Sequence, residues 1–155
     1  MTSKTKARLA ELGITLPDAA APAANYVPFV KTGNQLFISG QLPMESGAIA
    51  VTGKLGEALQ VEDGQKAAKL CAINLLAQAK AATGNLDKVV RLVKIVGFVN
   101  STGDFTDQPK VINGASDFLV EAMGDSGRHA RSAVSAASLP FGAAVEIEAI
   151  FEIAD

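Results

Sequence analysis

The chain is short of cysteine, histidine and charge, and each shortage removes a class of function. One cysteine, Cys71, in 155 residues excludes an intramolecular disulfide and leaves no cysteine cluster for a metal. One histidine, His129, excludes any site that needs two. Charged residues make up 19%, below the roughly one quarter usual in soluble domains. Apolar residues make up 48%, and the mean hydropathy is +0.24. No apolar run is long enough to span a bilayer. A chain this poor in charge is expected to cover part of its surface with a partner, so an oligomer is predicted. Net charge −2 and a pI near 5.4 argue against nucleic-acid binding, which needs clustered Lys and Arg. The opening residues MTSKTKARLAELGITLP begin basic but carry Glu11 and no continuous apolar stretch. They do not form a secretory signal, and the expected location is cytoplasmic.

What is present is one domain's worth of alternating pattern. A chain of this length buries a core without disulfides or metals. Residues 4–12 suit a short helix ended by Gly13, followed by the small-residue connector DAAAPAAN. VPFVKTGNQLFISG reads as a β-hairpin, with arms at 27–31 and 36–39 around Thr32-Gly33-Asn34. Residues 40–56 are punctuated by Pro43, Gly47 and Gly53, with a short strand near 49–52. Residues 62–83 form the clearest helix: Ala67, Leu70, Cys71, Leu75 and Ala79 recur at helical spacing, and Gly84 caps the end. The β-branched run DKVVRLVKIVGFVN predicts a long strand over 87–100. Pro109 starts a second helix through KVINGASDFLVEAM. Strands over 130–138 and 144–153 close the chain. Hairpin, helix, strand, helix, strand, strand is an α+β order, with helices on one face of a mixed sheet.

The last two strands carry the chemistry. Alternation places Arg131, Ala133 and Ser135 on one face of the first. In the second, Val145, Ile147, Ala149, Phe151 and Ile153 form the face suited to packing helices. Glu146, Glu148, Ile150 and Glu152 lie opposite. Each glutamate is compatible with ordinary surface charge, and Arg131 with an ion pair or an interface. A guanidinium fork among small neighbours such as Ala133 is equally an anion receptor, because it matches a carboxylate in two parallel hydrogen bonds. Cys71 reads as core, and His129 as a loop residue placed two before Arg131. Gly-rich pieces such as VTGKLGEAL and GDSG lack a P-loop or Rossmann spacing.

ARSAVSAASLP followed by VEIEAIFEI resembles the C-terminal signature of the reactive intermediate deaminases, the RidA/YjgF family once labelled L-PSP endoribonucleases. Tyr26, Gly33-Asn34 and Ser39-Gly40-Gln41-Leu42-Pro43 match the family's N-terminal hairpin, and PKVINGASDFL its middle segment. The likeness runs from about Asn25 to Ile153. It is that of a divergent subfamily: one domain over 1–155 with residues 1–24 as an N-terminal extension. The resemblance implies a chorismate-mutase-like fold, a homotrimer with clefts between subunits, and no cofactor. It also implies hydrolysis of enamines and imines derived from amino acids, such as 2-aminoacrylate and 2-iminopropanoate, to 2-oxo acids and ammonia. By the same resemblance Arg131 holds the substrate carboxylate and Glu146 activates water. Tyr26 and Asn113 line the pocket, and Ser39 and Gly40 form part of its wall. Ala133 stands where the family often has a cysteine. A non-catalytic binder or sensor of small carboxylates is the alternative; it needs Arg131 but not Glu146. For ribonuclease activity, the acidic pI and single histidine offer neither a phosphate track nor a paired acid and base.

Overall fold

The computed structural model describes residues 4–22 and 24–155; residues 1–3 and 23, part of the 1–24 segment set apart in the sequence, lie outside the described residues. The elements in order are α1 (Lys4–Glu11), β1 (Phe29–Thr32), β2 (Gln35–Gln41), β3 (Met44–Glu45), β4 (Ala48–Ile49), α2 (Val61–Thr83), β5 (Val89–Asn100), α3 (Gln108–Met123), β6 (Ala130–Ala136) and β7 (Val145–Ile153). Five strands form one sheet in the order β1-β2-β7-β5-β6, and β3 and β4 pair as a separate small hairpin. All pairings in the large sheet are antiparallel except β5 with β6, which are parallel. A parallel pair needs a crossover, and α3 supplies it. The order and pairing are those of the α+β arrangement expected, with helices packed on a mixed sheet.

Local chemistry sets the boundaries. The Gln60 backbone N–H donates to Asp63 Oδ2 at 2.8 Å at the start of α2, and Gly84 ends that helix in the left-handed conformation, φ 76°. Pro109 occupies the first turn of α3, where its missing N–H costs nothing. The first hairpin turns at Gly33, φ 57°. Two expectations need correction. The short strand predicted near 49–52 is instead a β3–β4 hairpin turning at Ser46-Gly47, both at positive φ (53° and 81°), the geometry that closes two-residue hairpins. The long strand starts at Val89, because the Asn85 side chain accepts the Asp87 N–H at 2.9 Å and winds Leu86–Lys88 into a 3-10 turn.

Leu92, Ile95 and Val99 of β5 and Ile147 and Phe151 of β7 are fully buried beneath the helices. α2 is buried on most sides, since it lies against both the sheet and α3. Small residues permit that close approach. A Cβ on Gly114 of α3 would overlap the Gln65 carbonyl of α2 and lie 2.7 Å from its Cα; one on Gly97 of β5 would lie 2.5 Å from Ile112 Cδ1. Fully burying each large aliphatic side chain contributes about 1.5–3 kcal/mol. Among the described residues no helix covers the opposite face of the sheet. Val30, Phe37 and Val134 stand 52%, 40% and 44% exposed there.

Candidate functional site

The predicted site residues divide into two groups separated by the thickness of the sheet. The dividing device is register. Arg131 pairs with Ile95 and Ala133 with Gly97 in the parallel β5–β6 ladder. Ile95 and Gly97 in turn pair with Ala149 and Ile147, whose side chains are buried under the helices. Arg131 and Ala133 therefore share the helix-facing side. Glu146 pairs with Phe98, one step out of phase, and so lies on the helix-free side.

The first group gathers where the edge strand β6 meets α3. Arg131 is half-buried, and its guanidinium donates to Ser116 Oγ at 3.1 Å and to the Pro109 carbonyl at 3.2 Å. Asn113 lies four residues after Pro109 and three before Ser116, on the same side of α3. Among the described residues the ion pairs involve Arg8, Lys110 and Arg128, and Arg131 joins none of them. His129, just before β6, is more than the loop residue expected. Its Nε2 lies 2.8 Å from Ser116 Oγ and its Nδ1 2.6 Å from the Gly127 carbonyl. Ser116 is the residue that sequence reasoning missed; the one available signal was its helical spacing from Pro109 and Asn113.

The second group is built on a bulge in β2. Ile38 pairs with Ala149 and Gln41 with Ile147, so Ser39 and Gly40 together oppose Glu148 alone. The half-buried Glu146 carboxylate rests against Gly40: a Cβ there would overlap Oε2 and lie 2.9 Å from Cδ. Ser39 and Gly40 also wall a cavity of about 310 Å³, with Pro22, Tyr26, Met44 and Phe141 among its other sides. Arg131, Asn113, Ala133 and Glu146 do not line it; Glu146 is linked to it only through its contact with Gly40. Phe141 is 71% exposed with φ 59°. A side chain in that left-handed region costs about 1–3 kcal/mol.

Buried amides of α2 hold this cavity from behind. The two hydrogens of Asn74 Nδ2 are shared among the carbonyls of Leu42 (3.1 Å), Met44 (3.1 Å) and Leu70 (3.0 Å). Gln78 Nε2 donates to the Ala20 carbonyl at 2.8 Å, and Ser39 Oγ to the Val27 carbonyl at 2.9 Å.

Electrostatics distinguishes Glu146 from its neighbours. Burial raises its pKa above the usual glutamate value, and the Glu148 charge raises it further. Burial also pushes the Cys71 thiol well up, with the Glu146 charge adding to it. That thiol lies in the core, 3.6 Å from the Val145 carbonyl, and stays protonated. Among the described residues no three His, Cys, Asp or Glu side chains gather as metal ligands. No described helix is long and apolar enough to cross a membrane. One fold thus presents a half-buried cation supported by neutral acceptors, and a half-buried carboxylate with raised proton affinity packed against Gly40, a residue of the cavity wall.

Residues 6–152 match the family model described as "YjgF/chorismate_mutase-like, putative endoribonuclease". Protein TCP17 of Trypanosoma cruzi is 51% identical over 153 residues, covering 98% of this chain and 96% of that protein. The crystal structure of Atu1372 from Agrobacterium tumefaciens, a protein of unknown function, is 56% identical; the match covers 97% of this chain and 93% of that one, with a TM-score of 0.91. E. coli TdcF, solved with bound serine, is 28% identical over 88% of this chain and 94% of its own, with a TM-score of 0.65. The chain belongs to the YjgF/RidA family.

Proposed function

We propose that this protein hydrolyses enamine and imine intermediates derived from amino acids to 2-oxo acids and ammonia, at sites completed between copies of the chain in a homotrimer. The observation that carries the reading is the state of Arg131: a half-buried guanidinium held by a hydroxyl and a backbone carbonyl, with no carboxylate partner among the described residues. An internal arginine used only as a strut is usually neutralised, since a buried charge needs pairing. Here both anchors are neutral, so the full positive charge is available to an anion, and a planar fork favours a carboxylate. The serine in E. coli TdcF is a ligand that carries such a group.

The sheet separates Arg131 from Glu146 within one chain, so chemistry needing both takes them from two copies. The exposed Val30, Phe37 and Val134 on the helix-free face are the kind of surface that association covers. In the shared cleft, Arg131 and Asn113 of one copy fix the carboxylate of a 2-imino acid whose nitrogen is protonated, as the iminium. Glu146 of another, beside Tyr26 and the Ser39-Gly40 backbone, directs water to the C=N carbon. The water oxygen bonds to that carbon while Glu146 takes the proton. Glu146 then returns the proton to nitrogen, the C–N bond of the carbinolamine breaks, and ammonia leaves with its electron pair. The hydroxyl proton is lost as the 2-oxo acid forms. A carboxylate with raised proton affinity suits both transfers better than an ordinary one.

The test is a coupled assay in which an amino-acid oxidase or a pyridoxal enzyme generates imines and ammonia release is followed. Wild type is expected to accelerate release, and Arg131→Ala to abolish that acceleration. Mixed Arg131→Ala and Glu146→Gln subunits are expected to regain part of the activity, because some clefts then receive both intact halves. Full activity in Arg131→Ala would remove the proposal. Absence of recovery in verified mixed assemblies would remove the shared site. If the protein were instead a carboxylate sensor, Glu146→Gln would leave ligand binding and all downstream behaviour unchanged.

A further inference from the structure

We infer that Ser116 and His129 are positioning residues for Arg131, forming a one-way hydrogen-bond relay that aims the guanidinium at a carboxylate while keeping its charge unneutralised. This rests on the reading of Arg131 as the carboxylate receptor.

With the His129 ring in its neutral form, valence fixes the direction of the relay. The Gly127 carbonyl can only accept, so His129 Nδ1, 2.6 Å away, carries the hydrogen. In the neutral ring Nε2 is then an acceptor, and Ser116 Oγ, 2.8 Å away, donates its single hydrogen to it. With that hydrogen committed, Ser116 Oγ presents only lone pairs to Arg131, whose NH1 donates to it at 3.1 Å. A free serine hydroxyl rotates; this one is locked as an acceptor. The Pro109 carbonyl receives NH2 at 3.2 Å, so both ends of the guanidinium plane are pinned to α3. The remaining N–H groups stay available to a bidentate anion.

The far end of the relay is rigid. Gly127 is buried, and a Cβ there would overlap the Leu119 carbonyl and lie 3.0 Å from Met123 Cβ, so the 124–127 turn is seated against the last turns of α3. The chain Gly127–His129–Ser116–Arg131 thus links two fixed backbone segments through side chains, and it contains no carboxylate. An aspartate in place of Ser116 would hold the arginine more tightly and also satisfy it. The neutral relay orients without satisfying, which is what a receptor for an external anion needs.

The experiment is calorimetric titration of the assembled protein with pyruvate and with pyruvamide, the same molecule lacking the charge, alongside thermal melting. Arg131→Ala, Ser116→Ala, Ser116→Thr and His129→Ala are compared with wild type. Losing one hydrogen bond to a charged group corresponds to roughly a tenfold change in affinity. Ser116→Ala and His129→Ala are expected to weaken pyruvate binding by about that factor, to leave pyruvamide binding unchanged, and to be matched by near-normal binding in Ser116→Thr. If Arg131→Ala weakens pyruvate binding but Ser116→Ala and His129→Ala bind it as wild type does, the relay is wrong and the receptor stands. Equal loss for pyruvate and pyruvamide, tracking a lowered melting temperature, also overturns it by assigning the pair a structural role. If Arg131→Ala binds pyruvate as wild type does, the underlying reading fails first.

Discussion

The two halves of the candidate site solve opposite electrostatic problems. At the α3–β6 edge a cation is made comfortable without being neutralised: Arg131 has a hydroxyl and a carbonyl within hydrogen-bonding distance. On the other side of the sheet an anion is made uncomfortable: Glu146 is pressed against Gly40, half desolvated, with Glu148 as a like-charged neighbour. One half stores orientation and the other stores proton affinity. Neither helix nor strand propensity selects these features. They arise from where a parallel register and a bulge place two side chains.

The contrast can be broken from either end. After the loss of activity expected for Arg131→Ala, the largest effect is expected for Glu146→Gln, which keeps size and removes basicity. Loss of general acid–base help lowers turnover by roughly a hundred to ten thousand-fold, while pyruvate affinity, assigned to Arg131, stays near wild type. Steady-state kinetics of imine hydrolysis with parallel titrations checks both. Gly40→Ala comes next. The added methyl displaces only the flexible end of Glu146, so melting is expected to change little while activity falls on the order of a hundredfold, the usual cost of a misplacement of about 1 Å. A Gly40→Ala enzyme with unchanged kcat would show that the carboxylate position is immaterial.

Gly114→Ala sharpens the comparison by touching the scaffold. Its methyl meets backbone of α2, which cannot step aside, so a loss of about 1–3 kcal/mol is expected in denaturant unfolding. The smallest effect is a pH signature. Because the folded-state pKa of Glu146 is raised, the folded protein binds more protons than the unfolded chain between the ordinary and the raised value. Stability contributed by this group therefore falls as pH rises through that window. Glu146→Gln removes the penalty. It is expected to melt above wild type at pH 7 and to converge with it below about pH 4, under the ordinary glutamate range. Identical melting profiles at both pH values would contradict the burial assigned to Glu146.

Much of this architecture was legible in the residues. Helical spacing in 62–83, the β-branched run over 87–100 and the alternation in 144–153 report burial directly, so α2, β5 and β7 follow within a residue or two. Alternation also separates Arg131, Ala133 and Ser135 from Ser132 and Val134. It does not say which set meets the helices; that depends on the pairing of Ile95 with Arg131, a long-range fact. The β3–β4 hairpin escaped because two-residue strands carry no period. The bulge at Ser39-Gly40 escaped because an extra residue appears only when two strands are counted against each other. Ser116 and His129, 13 residues apart, become partners only after the chain has turned between α3 and β6. Family resemblance named Arg131 and Glu146 together, yet the fold of a single chain keeps them on opposite faces.

Asn74 extends the consequences beyond catalysis. A single nitrogen on α2 ties together the Leu42, Met44 and Leu70 carbonyls. Conversion of that amide to a carboxylate, the slow spontaneous fate of asparagines, would swap the shared donor for a fourth oxygen among three. The floor under Leu42 and Met44 would be repelled and the mouth beside Tyr26 loosened. The shape of the cavity floor is thus tied to one donor: a side chain at position 74 that could only accept would leave these carbonyls without it.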